Sequence, residues 1–316
     1  MKYVHDATVA RMREETSSMR KPWYRSSARL IADYRLQGLK CLDLCCGNCE
    51  FSRILRDRFG MQVTCADYVT PHLKRAETLG FETFRIDFDG EDRQIEALAQ
   101  AYEGRFDLVV NLAAIEHIFN TDALLRFVHR VLARGGYFLV NTPNIAFLGY
   151  RLYSLLSGNR PFGEGHHVRF WDYRFLQTHL YLNGFNTIAD RRQFYTPPLD
   201  LMKRAFRNRC ILPGLFTRFF YLCWVLQKFP GGKGLFTDEL TVLSQKEDVP
   251  PIGFELFTVQ RVLEQTRDEE DRRRMIARLK TARDAGWLDE HLHLAALVDG
   301  LPRSNSAYTR SSARSE

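Results

Sequence analysis

The residues with the most chemistry to offer lie between Leu39 and Phe51, in the stretch LKCLDLCCGNCEF. An apolar run ends in Asp43, a turn of small residues surrounds Gly47, and a segment able to start a helix follows. A strand that stops at such a loop and feeds a helix presents backbone N–H groups at the C-terminal edge of a sheet. Open α/β sheets bind nucleotide-like ligands at that edge. Four cysteines, Cys41, Cys45, Cys46 and Cys49, crowd the same stretch. Zinc needs four convergent ligands, and no second cysteine pair or Cys/His knuckle follows, so no metal is expected here. Glu116-His117 lies just past another apolar run, and His166-His167 sits in a polar loop with Arg169. Neutral imidazole near pH 7 is a natural base for a sugar or phenol hydroxyl. The plainer alternatives are a satisfied structural histidine and, for Glu116, a first-turn brace favoured by the helix dipole.

These residues need a scaffold, and the pattern supplies one. Apolar strands are expected at Leu39–Cys45, Met61–Ala66, Phe81–Phe88, Phe106–Leu112 and Tyr137–Asn141. Helices are expected between them at Glu50–Phe59, Pro71–Leu79, Asp92–Tyr102 and Asp122–Ala133, with Gly60, Gly80 and Gly135-Gly136 as stops. Five strands alternating with four helices predict a parallel sheet covered on both faces. An apolar helix, Ile145–Ser157, comes next, then a helix at Tyr173–Leu182 and strands at Phe185–Phe194 and Thr237–Gln245. The fold class expected is α/β: a doubly wound, Rossmann-like, mostly parallel seven-stranded sheet. Around it stand an N-terminal helical cap (1–38), a C-terminal helical extension (248–302) and a Ser/Arg-rich tail (303–316) expected to be disordered. The catalytic domain spans 39–247 and carries an insertion at 196–234.

The motifs in this order resemble class I S-adenosylmethionine (SAM) dependent methyltransferases, in the small-molecule group that includes the ubiquinone O-methyltransferases. Asp43-Leu-Cys-Cys-Gly47-Asn-Cys49 is similar to the family's glycine-rich first motif, and Val63–Asp67 to its acidic second strand end. Ile86-Asp87-Phe88, Ile115–Ile118, Val131–Asn144 and Gly165–Phe170 are similar to later motifs. The resemblance implies SAM as cofactor. The turn carrying Cys45, Gly47 and Cys49 would approach its methionine part, with Asp43 close by. Asp67 would accept both ribose hydroxyls, with Tyr68 beside it. Asp87 would take the adenine amino group, although Asp89 lies close enough to compete, and Phe88 would offer its backbone N–H. Asn111 and Leu112 would line the cofactor through their carbonyls. His167, His117 and Glu116 are the catalytic candidates, His167 as base or positioning residue with Arg169 as an anion clamp. Cys45 and Cys49 stand where the family has its first and third glycines. Cys45 is expected to fit with little strain and Cys49 to be the awkward one, because positive φ suits glycine.

The expected reaction is methyl transfer to an oxygen of a small-molecule, glycan or lipid-linked acceptor. Two alternatives stand beside it. One is a metal-assisted RNA 2′-O-methyltransferase: such enzymes resemble this chain at Glu116-His117 and around His167–Trp171, but Ala113 stands where their first glutamate would be. The other is a SAM-binding scaffold that has lost catalysis.

The chain has 316 residues, 45% hydrophobic and 26% charged, with a net charge of +7. Seven cysteines, four of them clustered, do not read as a disulfide framework, so a reducing cytoplasm is expected. Nine basic residues fall between Arg191 and Lys233 against one acid, Asp200. Within them Leu215–Phe229, LFTRFFYLCWVLQKF, is apolar and aromatic but too short to span a bilayer. It suits a helix in a membrane interface, giving peripheral membrane contact, or a helix packed on the core. Nucleic acid is not the expected partner.

Overall fold

Strands and helices alternate to build one seven-stranded sheet in the order β3-β2-β1-β4-β5-β7-β6. The structure, a computed structural model, describes residues 21–159, 167–193, 222–223, 225–226 and 232–301. The strands are β1 Lys40–Leu44, β2 Gln62–Asp67, β3 Glu82–Arg85, β4 Phe106–Leu112, β5 Leu132–Pro143, β6 Phe185–Gln193 and β7 Glu239–Lys246. β1 to β5 pair in parallel, as continuous apolar runs such as Phe106–Val110 require when both faces are buried. β7 runs antiparallel between β5 and β6. From β1 the chain winds outward through β2 and β3, then returns across β1 to add β4 and β5. The reversal falls between β1 and β4, so their C-terminal ends form the crevice where ligands of such sheets bind.

Helices α1 Pro22–Asp33 and α2 Glu50–Phe59 cover one face. Their Leu30, Ile31, Phe51 and Leu55 pack on Cys41, Leu108, Val110 and Leu139 of the sheet. α4 Asp92–Ala101, α5 Thr121–Val131 and α7 Tyr173–Leu182 cover the other, through Ile95, Leu124, Phe127, Val128, Leu176 and Leu180. Burying one such side chain fully stabilises by about 1.5–3 kcal/mol. The local signals act as written in the sequence. Pro22 opens α1, where its missing N–H costs nothing. Asn120 caps α5 by accepting the N–H of Ala123 at 3.1 Å. Gly60, at φ 63°, ends α2 in the left-handed conformation. Helices α3 Thr70–Thr78 and α6 Leu148–Ser157, and the short α8 Gly232–Leu235, complete this part.

The C-terminal residues form three helices, α9 Leu256–Gln265, α10 Glu269–Asp284 and α11 Leu292–Asp299. They share an apolar cluster of Val259, Leu263, Met275, Leu279, Leu288 and Leu294, closed by Leu182 of α7. No helix among the described residues is long and apolar enough to cross a membrane.

Most limits differ from expectation by one or two residues, and three elements differ by more. β3 is Glu82–Arg85 rather than Phe81–Phe88: Ile86 still donates its N–H to the Asp67 carbonyl at 3.1 Å, and the strand pairing stops there. β5 starts at Leu132, paired with Phe106 of β4, so the preceding helix ends at Val131 and Gly135-Gly136 lie inside the strand instead of stopping the helix; β5 ends at Pro143, as far as antiparallel β7 pairs with it. The apolar helix after β5 begins at Leu148, since Asn144 first makes a turn by accepting the N–H of Ala146. Residues 1–20, most of the 196–234 insertion with Leu215–Phe229, and the 303–316 tail lie outside the described residues. Within the insertion Cys223 is buried beside Phe147.

Candidate active site at the carboxyl edge of the sheet

The turn after β1 is held from three sides. Cys45 and Cys46 donate their N–H groups to the Ala66 carbonyl at 2.7 and 3.2 Å, fixing the turn to the end of β2. Gly47 donates to Asp67 Oδ2 at 3.0 Å. Asp43 is buried and accepts from Ser52 Oγ at 2.5 Å, bracing the first turn of α2 against β1. Burial, with the Asp67 charge adding, raises the Asp43 carboxyl to about 6, although the Ser52 bond opposes the shift.

The backbone here is strained in a pattern. Four non-glycine residues among those described have positive φ, and three lie at this edge: Cys45 (63°), Cys49 (58°) and Ala113 (52°). Cys49 is the left-handed residue that opens α2. The expectation that Cys45 fits with little strain is therefore corrected. Both cysteines occupy the conformation that glycine adopts freely, at a cost of about 1–3 kcal/mol each. Strain of this kind persists where surrounding structure over-determines it, characteristically at ligand clamps.

Asp67 ends β2, is buried, and also accepts the N–H of Val69 at 2.9 Å and faces His72 Nδ1 at 3.3 Å. Tyr68 beside it is exposed. Asp87 and Asp89, equal competitors in the sequence, are separated by the fold. Asp89 accepts the N–H groups of Phe119 and Asn120 at 3.2 and 2.8 Å and so braces the segment after β4. Asp87 is exposed and accepts the N–H of its neighbour Asp89 at 3.1 Å. The Phe88 ring is buried edge-on to Phe127. Asn111 donates to the Leu44 carbonyl at 3.1 Å, joining β4 to β1, and its buried Oδ1 has no partner among the described residues. Leu112, half-buried, ends β4 opposite Asn141.

Beyond β4 a short 3-10 turn, Ile115–His117, carries two catalytic candidates. Glu116 is buried, and Thr142 Oγ1 donates to its Oε2 at 3.0 Å. Burial raises its carboxyl to about 7. The Glu116 carbonyl accepts the N–H groups of Val168 and Arg169 at 2.9 and 3.1 Å. Those two bonds dock the polar loop, and they set the His167 ring edge-to-face with His117 at 4.7 Å. His166 lies outside the described residues. Arg169 is not placed as an anion clamp. Its guanidinium donates to the Phe119 carbonyl at 3.0 and 2.6 Å and pairs with Glu255 at 3.1 Å, so it fastens this loop to α9. One ligand atom each from Glu116, His117 and His167 lies within 4.8 Å of the others, close enough to share a cation. Thr142, read from sequence only within the Val131–Asn144 motif, and Ala113, read only as the place of a missing glutamate, also belong to the site. Thr142-Pro143-Asn144 marks only a strand end, and a positive φ at alanine has no signature in sequence.

A cleft of about 1200 Å³ opens elsewhere, lined by Gly104, Leu132, Lys246 and residues of α4, α5 and α9. Gly104 and Leu132 mark the N-terminal ends of β4 and β5, the opposite edge of the sheet.

The family model of the methyltransferase domain matches residues 16–190, more than half of the chain. The chain belongs to this methyltransferase family. Membership makes residues 16–190 a class I SAM-dependent methyltransferase domain, with SAM as its cofactor. The Asp67 carboxylate, the orphaned Asn111 oxygen and the close-approach turn at Cys45–Cys49 fit a ligand with hydroxyls and polar edges. Similar curated proteins are ubiquinone biosynthesis O-methyltransferases. That of Xanthomonas oryzae pv. oryzae is 32% identical over 34% of this chain and 45% of its own length. That of Psychrobacter cryohalolentis is 27% identical over 45% and 55%. The methyltransferase thus spans about half the length of the curated relatives it matches. Solved structures with a likeness include SAM-dependent methyltransferases from Mesorhizobium loti and Archaeoglobus fulgidus. The first is 18% identical with TM-score 0.43, over 66% of this chain and 92% of that one. The second is 17% identical with TM-score 0.46, over 70% and 92%.

Proposed function

We propose that this methyltransferase methylates a hydroxyl oxygen of a small-molecule, glycan or lipid-linked acceptor. The observation that carries the reading is the convergence of Glu116, His117 and His167 beside the cofactor turn, where the β1 and β4 ends meet. The O-methyltransferase names of its relatives support the same class of acceptor. Bound SAM supplies a methyl group on a sulfonium, open to direct displacement. The chain must then hold the acceptor oxygen in line and take its proton. In this reading His167 receives that proton; the edge-on contact of His117 with its ring and the Glu116 carbonyl that docks its loop support that role. Asp67 takes the ribose hydroxyls and Asp87 the adenine amino group.

The test is turnover of His167→Ala with phenolic, glycan and polyprenyl-linked acceptors. A loss of roughly 10²–10⁴ in kcat, with SAM affinity kept, is expected for a lost general base. Unchanged kcat would remove His167 from the chemistry.

A second reading is favoured by the same three ligand atoms. One carboxylate and two imidazoles could hold a divalent cation that binds the acceptor hydroxyl, as RNA 2′-hydroxyl methylation would use. With Ala113 in place of a glutamate, that set has no fourth protein ligand among the described residues. Turnover unaffected by a chelator removes this reading, and loss of turnover restored by added divalent metal establishes it.

A further inference from the structure

Behind the cofactor turn the fold brings together three thiols that methyl transfer does not use. Cys46 and Cys49 come from the turn, and Cys65 from the middle of β2, in register with Asp43 and Thr83. Their sulfur atoms all lie within 4.8 Å of one another, and Cys46 Sγ is 3.9 Å from Cys49 Sγ. The residues are 9%, 0% and 0% exposed, in a pocket closed by Ala76 and Phe81. Cys46-Gly47-Asn48-Cys49 is a C-x2-C turn closed by the Cys49 N–H to the Cys46 carbonyl at 3.0 Å. The sequence spacing offered this pair no further ligand; β2 supplies it.

The sulfur separation discriminates between two chemistries. A disulfide needs sulfurs about 2.05 Å apart, so the pair would have to close by nearly half its distance. Sulfurs bound to one ion at about 2.3 Å stand roughly 3.8 Å apart in tetrahedral geometry and about 4.0 Å apart in trigonal geometry. At 3.9 Å the Cys49 thiol hydrogen-bonds to the Cys46 sulfur, a separation that one shared ion could take over with little movement of the pair. The nearby Ser52 hydroxyl already donates to Asp43, and no fourth ligand converges among the described residues. Structural zinc takes four ligands, whereas copper(I) is a soft ion suited to a dry all-sulfur set. The thiolate charge is opposed by the N-terminus of α2 at Cys49. Arg56, over the Phe81 ring at 4.7 Å and facing Cys65, adds to that, while burial and the Asp43 carboxylate push the Cys49 thiol up, so an ion must displace its proton.

We propose that Cys46, Cys49 and Cys65 form a three-sulfur site for copper(I). An ion there ties the cofactor turn to β2 and so fixes the segment from which Gly47 reaches Asp67. The site rests on the fold and on sulfur geometry, not on the acceptor or the base, so it stands or falls separately from the proposed reaction.

The experiment is anaerobic titration of the reduced full chain with copper(I) against a chromophoric copper(I) chelator, followed by X-ray absorption at the copper edge. One tightly held ion per chain with three sulfur neighbours is expected. Cys65→Ser and Cys49→Gly should each abolish retention against the chelator. Cys49→Gly removes a sulfur while relieving a positive φ, so it guards against loss of folding, which circular dichroism checks for both. Failure of the reduced wild-type chain to hold copper(I) overturns the proposal. So does retention unchanged in Cys65→Ser, or a chain that gives a Cys46–Cys49 disulfide with peroxide yet takes up no ion.

Discussion

Cys49 shows how one backbone angle can carry a cost that its neighbours do not relieve. It sits at φ 58° at the start of α2, fully buried, where a glycine would be unstrained. Cys49→Gly should therefore raise stability by about 1 kcal/mol, read as a higher urea midpoint, and should tighten SAM binding by letting the turn approach more closely. A fall in both would show that the thiol packing outweighs the angle. Asp43 tests electrostatics at the same turn. Its folded value near 6 lies above the ordinary 3.8, so the native state holds a proton that the unfolded chain releases between those values. The stabilising contribution is complete below about pH 4 and is lost as pH rises through about 6. Relative to Asp43→Asn, the wild type should lose on the order of 2–3 kcal/mol between pH 4 and pH 7.5. Parallel urea-unfolding profiles of the two proteins would contradict that burial.

At the scale of elements, the start of α9 is fastened to the sheet layer through Asp122, beside the Arg169–Glu255 pair and the contacts of buried Arg278. Asp122, buried in the first turn of α5, accepts the N–H of Phe254 through both oxygens at 3.0 Å and that of Glu255 at 3.1 Å. Asp122→Ala leaves those N–H groups unpaired and should cost about 2–4 kcal/mol, with faster amide exchange in 252–265 than in β1 or β4. Exchange raised equally everywhere would mean that α9 opens only with the whole chain. Asp122 was read from sequence only as the start of a helix. Its partners lie more than a hundred residues away, and nothing local announces them. Element types were legible because Gly60 and Gly80 punctuate clear periods. The limits of β3 and β5 were not, because pairing with β2, β4 and β7 decided them.

At the scale of the molecule, the order of motifs placed Asp43, Gly47, Asp67, Asp87 and Asn111 along successive elements, and the parallel sheet brings their elements to one edge. What the sequence could not show is what converges from far apart. The Glu116 carbonyl docks the His167 loop, Arg169 turns to Glu255 instead of facing a ligand, and Cys65 joins Cys46 and Cys49. SAM is expected to bind across the ends of β1, β2 and β4, with Asp67 as its ribose anchor. The most direct measurement is calorimetric titration of the wild type and Asp67→Ala with SAM and with its demethylated product. One-to-one binding of both by the wild type and at least about tenfold weaker binding by Asp67→Ala are expected, since a hydrogen bond to a charged group contributes about 1.5–3 kcal/mol. Equal affinity in the two proteins, or no binding of either ligand by the wild type, would contradict it.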